Sequence, residues 1–151
     1  MRAKSKVTAG SARIPKKKAR RPQTGSLPQY IFFYGSLKRG GEAHERLRGR
    51  VRFISPGRIR ADLYRLSGQE YPGAVLTTSP NRFVKGDLFL LQDPEKTLRD
   101  LDEFEGVDEG LFRRELVDAW ARGRRIKAWA YLYGRPLTDA NLIPAGIYSS
   151  H

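Results

Sequence analysis

The chain has 151 residues, no cysteine, two histidines, 39% hydrophobic side chains and a formal charge of +13. That length fits one domain with a modest core, and no apolar run approaches the roughly 20 residues that cross a bilayer as a helix. Disulfides, thiolate zinc sites and cysteine nucleophiles are excluded. With only His44 and the terminal His151, a histidine metal cluster is out of reach and a Ser-His-Asp triad would have to rest on His44.

The charge is uneven. Residues 1–29 hold nine Lys/Arg and no acid, so +9 of the +13 lies there and +4 in the remainder. Residues 1–28 mix Lys, Arg, Ala, Ser, Gly and Pro without periodicity and with too few apolar groups to offset ordering entropy. They read as a disordered basic tail before a domain over 29–151. The cluster Ile-Pro-Lys-Lys-Lys-Ala-Arg-Arg-Pro at 14–22 suits non-specific nucleic-acid contact, a nuclear address or anionic lipid; its plainest reading is a solvated extension. No apolar core follows the charges, which argues against a secretory signal. A transit peptide fits the acid-free composition, though no amphipathic stripe accompanies it. A cytoplasmic protein without membrane insertion is expected.

Structure is expected from Tyr30. Ile31-Phe32-Phe33-Tyr34 reads as a buried strand that turns at Gly35 and again at Gly40-Gly41. A short helix over 42–48 leads into an Arg-rich stretch. Leu63–Leu66, Ala74–Thr77 and Val84–Leu91 read as strands, separated by Ser67-Gly68, Tyr71-Pro72-Gly73 and Ser79-Pro80-Asn81. Asp93-Pro94-Glu95 then offers an N-cap, a first-turn proline and an early acid, opening a helix that stops at Gly106. Phe112–Ala119 and Ile126–Tyr133 are the last strands, turning around Arg122-Gly123-Arg124. Six strands with one late helix do not alternate as βαβ units do. The order favours an α+β domain built on a mainly antiparallel, barrel-like sheet.

On a helix of about 100° per residue, Glu105 falls within roughly 20° of Leu98 and shares its stripe with Leu101. Glu103 falls roughly 140° away, towards solvent, and Asp102 borders the stripe. Glu105 is therefore the acid aimed at the body. Desolvation and the negative end of the helix dipole both disfavour its ionised form, which suits a general base. The plainer alternative pairs Glu105 with Arg113 or Arg114, or leaves it outward at a frayed end.

Gly35 permits positive φ or close backbone approach, so the N–H groups of Gly35, Ser36 and Leu37 can converge on an anion, with Lys38 and Arg39 adding positive potential. An ordinary strand-to-helix turn would look the same. Ser36 has no base near it in sequence and is not read as a nucleophile.

Together and in this order, Tyr30-Ile-Phe-Phe-Tyr-Gly-Ser-Leu-Lys-Arg-Gly40, the Gly86-Asp-Leu-Phe-Leu-Leu91 strand, Leu101-Asp-Glu-Phe-Glu-Gly106 and Trp129-Ala-Tyr-Leu-Tyr133 resemble the γ-glutamylcyclotransferase-like (AIG2-like) family. The likeness covers residues 30 to about 146 and is nearest the branch of γ-glutamylamine cyclotransferases and small bacterial proteins. It implies a compact mixed β-barrel with flanking helices. It implies that Tyr34, Gly35, Ser36 and Leu37 form a substrate-binding loop, gripping the α-carboxylate of a γ-glutamyl group through main-chain amides, and that Glu105 is the proton acceptor. One departure stands out, because Phe112 occupies a place where family members often carry tyrosine.

The expected activity is cyclisation of a small γ-glutamyl amine or peptide to 5-oxoproline with release of the amine, requiring no cofactor or metal. Two readings compete. One is a binding module of the same fold that lost its chemistry, which Phe112 favours. The other is a nucleic-acid-associated protein, suggested by the tail and by the arginines between Arg46 and Arg65.

Overall fold

Alternation of apolar side chains along the strands builds two cores on opposite sides of one barrel wall. The computed structural model describes residues 29–149; the segment 1–28, expected as a basic tail, lies outside the described residues. In chain order the elements are β1 (Tyr30–Phe33), a 3-10 turn (His44–Leu47), β2 (Val51–Leu66), β3 (Pro72–Leu76), β4 (Phe83–Leu91), α1 (Pro94–Phe104), a second 3-10 turn (Val107–Glu109), β5 (Phe112–Ala121), β6 (Arg124–Tyr133) and β7 (Ala140–Leu142). Neighbouring strands run β2-β4-β1-β6-β5, and β5 pairs back onto β2, closing the ring. Only β1 and β6 are parallel. Strands β3 and β7 extend the far part of β2, against Ala61–Arg65 and Tyr64–Leu66. The fold is thus the mixed, mainly antiparallel barrel expected, with one α-helix among the described residues beside it.

Inside the ring lie Phe32, Ile59, Leu63, Leu88 and Leu132, among the alanines Ala61, Ala119, Ala121, Ala128 and Ala130. A narrow barrel has little interior to fill, so small residues on β2, β5 and β6 leave room for the rings of Phe32 and Tyr34. Outside the wall, Ile31 and Phe33 point the other way and meet Phe89, Leu98, Leu101, Phe112 and Tyr131. This second core glues α1 to the barrel. Burying a side chain such as Phe32 stabilises by roughly 1.5–3 kcal/mol.

Three expectations change. The Arg-rich stretch before Leu63 is itself strand, the first three-quarters of the 16-residue β2 whose end is the expected strand Leu63–Leu66; the described residues hold seven strands rather than six because β7 is added. In β2, Ile59, Ala61 and Leu63 face in while Arg58 stays exposed, and Ser55 lies at a register shift opposite Leu88. The expected helix at 42–48 is a single 3-10 turn. Asp93 precedes α1 but makes no side-chain cap, since its backbone is left-handed at φ 44°; its carbonyl instead accepts from the Thr97 N–H at 3.0 Å.

Candidate active site

Leu98 and Leu101 are buried while Glu103 is exposed, so α1 sits in the phase its sequence dictates. The Glu105 N–H still donates to the Leu101 carbonyl at 2.8 Å. The chain then breaks away at Gly106, whose φ of 67° is the left-handed conformation glycine adopts without strain. This holds Glu105 against the barrel. Arg113 pairs with Glu115 and Arg114 with Asp102. Neither arginine takes Glu105, and among the described residues its carboxylate has no ion-pair partner. Burial pushes its pKa up to about 7.

The end of α1 is pinned by Asp102. Its carboxylate accepts from Arg114 at 2.7 and 3.1 Å and from the Tyr131 hydroxyl at 2.8 Å. The Arg114 guanidinium in turn lies 4.4 Å from the Trp129 ring centre. Residues of α1, β5 and β6 thus form one polar clamp that fixes where Glu105 lies. Burial raises the Tyr131 phenol strongly, and its hydrogen bond to Asp102 adds to this.

The loop after β1 faces that carboxylate. Tyr34 is a strut rather than an open ligand: its hydroxyl donates to the Tyr131 carbonyl at 2.6 Å and accepts from the Ala74 N–H at 3.1 Å. Beyond it, the N–H groups of Gly35, Ser36 and Leu37 reach no backbone acceptor among the described residues. The loop curls back through Lys38 N–H to Gly35 O at 3.2 Å, Gly41 N–H to Lys38 O at 2.8 Å and Ala43 N–H to Ser36 O at 2.9 Å. Gly35 does not take positive φ. Its role is close approach, since a Cβ there would stand 3.2 Å from Pro72 Cδ. Arg39 does not project freely towards an anion either: its backbone N–H and guanidinium bind the buried Asp87 carboxylate at 2.9–3.1 Å. That pair ties the loop to β4. His44 faces the Leu37 carbonyl at 2.9 Å through Nδ1.

Tyr34, Gly35, Ser36, Leu37 and Glu105 all line one cleft of about 350 Å³ including its open mouth, floored by Phe33 and Tyr131 and walled by Tyr71, Pro72 and Phe112. The five residues singled out from sequence therefore meet in space. Tyr71 was missed, because Tyr-Pro-Gly reads as turn punctuation. Its ring packs 5.9 Å from that of Phe112, which also meets Tyr133 at 5.8 Å. Burial, and then the neighbouring Tyr133 and Glu105, push the Tyr71 phenol up against the opposing pull of Arg135.

A five-stranded barrel with unpaired amides after its first strand, facing a desolvated carboxylate at a helix end, defines a class of small α+β barrel with one polar cleft. The comparisons with known proteins give that class its family. Residues 31–150 match the model of the family described as gamma-glutamyl cyclotransferase, AIG2-like, and the chain belongs to that family. It is similar to the protein named "Putative gamma-glutamylcyclotransferase MJ1514" of Methanocaldococcus jannaschii, with 28% identity over 123 residues, 82% of this chain and 98% of the relative. Its fold is similar to that of an AIG2-like protein of Mus musculus, with TM-score 0.65 and 20% identity over 81% of this chain and 88% of the other. It is also similar to the ytfP protein of Escherichia coli, with TM-score 0.59 and 27% identity over 80% and 96%.

Proposed function

We propose that the chain cyclises a γ-glutamyl amine or peptide to 5-oxoproline and releases the amine. The observation that carries this is the desolvated Glu105 carboxylate sharing a cleft with the unpaired amides of Gly35, Ser36 and Leu37. The substrate's α-carboxylate sits on those amides, which favour an anion as partly charged, fixed donors. Its α-ammonium then lies towards Glu105, which takes one proton and leaves a neutral amine. The amine nitrogen attacks the γ-carbonyl carbon, the ring C–N bond forms, and the amide C–N bond to the leaving amine breaks. Glu105 gives its proton to the departing nitrogen, then accepts the second proton from the ring nitrogen and passes it to the freed amine, so a neutral lactam and an ammonium leave and the carboxylate is restored. No protein nucleophile takes part; the reactants already belong to one molecule, and fixing their orientation lowers the barrier by several kcal/mol.

Tyr71 supplies the hydroxyl that Phe112 lacks. Tyr131 and Tyr34 are unsuited to this, because their hydroxyls are committed to Asp102 and to the Tyr131 carbonyl. Tyr71→Phe is expected to lower kcat/KM by about tenfold, the worth of one hydrogen bond to substrate. Steady-state rates on a γ-glutamyl substrate measure this, and an unchanged value would assign Tyr71 to the wall alone.

The experiment for the whole reading is incubation with a panel of γ-glutamyl amines and dipeptides, with 5-oxoproline and the freed amine measured together. Product from none of them, with binding retained and indifferent to Glu105→Gln, would favour a silent binding module, the reading that Phe112 motivates.

A further inference from the structure

Among the described residues, the outward face of β2, β4, β5 and β6 around Trp120 carries exposed cations that have no acidic partner. Strand register puts Lys85 of β4 directly across from Arg58 of β2, Arg58 across from Trp120 of β5, and Trp120 across from Arg125 of β6. Side chains directly opposite on a sheet lie on the same face, and like charges so placed repel. Along this row the inward neighbours Ile59, Val84 and Ala119 are buried, and the three cations are exposed. Among the described residues none of Arg58, Lys85, Arg122, Arg124 or Arg125 makes a salt bridge. The nearby acids are already used: Asp118 pairs with Lys127 at 2.9 Å and Asp62 with Arg82 at 2.6 Å.

Aromatic rings interleave with these charges. Trp120 meets Phe83 edge to face at 6.0 Å, and the Arg58 guanidinium lies 4.3 Å from the Phe83 ring centre. A groove of about 890 Å³, counting its open side, runs past Arg58, Lys85, Trp120 and Arg122 with no acidic residue in its lining. Trp120 also lines the adjoining groove beside Arg60 and Thr77, so the indole stands on the ridge between the two. In that second groove Arg60 Nε is buried without a hydrogen-bond partner, its guanidinium lying 5.3 Å from the Trp120 ring centre and 5.4 Å from that of Phe83.

We propose that this wall is a binding site for single-stranded nucleic acid. Phosphates lie along the Lys85–Arg58–Arg125 row, and a base rests on Trp120. Repelling cations held in one row are relieved by a partner whose charges are also in a row. An indole among them gives the face a use for bases beyond what any polyanion would need. The site is separate from the cleft, and its residues are other than those of segment 1–28. The described chain begins at Gln29, bonded to Leu91 at the other end of β4.

The test uses the full chain and a fluorescent single-stranded oligonucleotide, titrated at several salt concentrations. One variant combines Arg58→Gln, Lys85→Gln and Arg125→Gln; a second replaces Lys16, Lys17, Lys18, Arg20 and Arg21 with glutamine. The wall variant is expected to bind at least tenfold more weakly, with its log-affinity against log-salt slope reduced by about 2, the share of three phosphate contacts on a single strand. The tail variant should keep that wall-dependent share. Because all three wall side chains are exposed, the melting temperature should stay close to the parent's, which separates lost binding from lost folding. Equal affinity and slope in the wall variant would overturn the proposal. So would inorganic polyphosphate of matched charge, or phosphatidylserine vesicles, binding as tightly as the oligonucleotide.

Discussion

Glu105→Gln is expected to lower release of 5-oxoproline by about 10²–10⁴-fold, the usual worth of a positioned general base, while making the protein more stable above neutrality. The two effects have one cause. The folded-state pKa of Glu105 is raised from 4.5 to about 7 by burial, so between those pH values the folded chain holds a proton that the unfolded chain has released. Stability contributed by this group is therefore lost as pH rises from about 4.5 to about 7 and stays lost above that. Glutamine carries no such penalty. Urea midpoints should coincide near pH 4 and diverge to a plateau above pH 7, with a gain on the order of 2 kcal/mol once the partial exposure of the residue is allowed for. A variant less stable than the parent at pH 8 would mean that the carboxylate is held by a partner rather than desolvated. Retained turnover would remove Glu105 from the chemistry.

The same raised pKa predicts a particular pair of pH profiles. In free enzyme the base is half protonated near neutrality, so kcat/KM should rise with pH through about 7. A bound α-ammonium facing the carboxylate favours its ionised form, so the acid limb of kcat should lie below that of kcat/KM. Coincident limbs would argue that the ammonium does not reach Glu105.

What was legible in the chain depended on whether one element carried the signal. The phase of α1 follows from Leu98, Leu101 and Glu105 alone, and the burial of Leu98 and Leu101 with Glu103 exposed agrees with it. The run Ile31–Phe33 shows its strand by composition. The first part of β2 did not, because Pro56-Gly57 and alternate arginines imitate a loop; the period-2 signal of Ile59, Ala61 and Leu63 was present but masked by the charges between them. Those arginines resolve into the outward positions of a strand only once β4, β5 and β6 are beside them. Tyr71, and the Asp102–Arg114–Tyr131 clamp, join residues from separate elements. No local pattern marks them. Arg39 likewise read as free charge until Asp87, far along the chain, was found beneath it.

That hidden anchor, with the glycine beside it, makes the loop testable apart from the base. A Cβ on Gly41 would stand 2.2 Å from the Ser36 carbonyl oxygen, a backbone atom that can move only by turning the Ser36 peptide and its neighbours. Gly41→Ala should therefore disturb the amides of Gly35, Ser36 and Leu37 while leaving α1 and Glu105 in place. If those amides hold the substrate carboxylate alike in ground and transition states, KM rises and kcat changes little. Losing one or two hydrogen bonds to a charged group corresponds to about 10–100-fold in KM. Asp87→Ala should move the same constant less, since the half-exposed Arg39 guanidinium can return to water, but it strands the Arg39 N–H and should cost about 1–3 kcal/mol of stability. Steady-state kinetics with denaturant midpoints on both variants distinguish these effects. An unaltered KM in Gly41→Ala would place the carboxylate somewhere other than on the loop, and a fall in kcat alone would mean that the amides act on the reacting carbonyl instead.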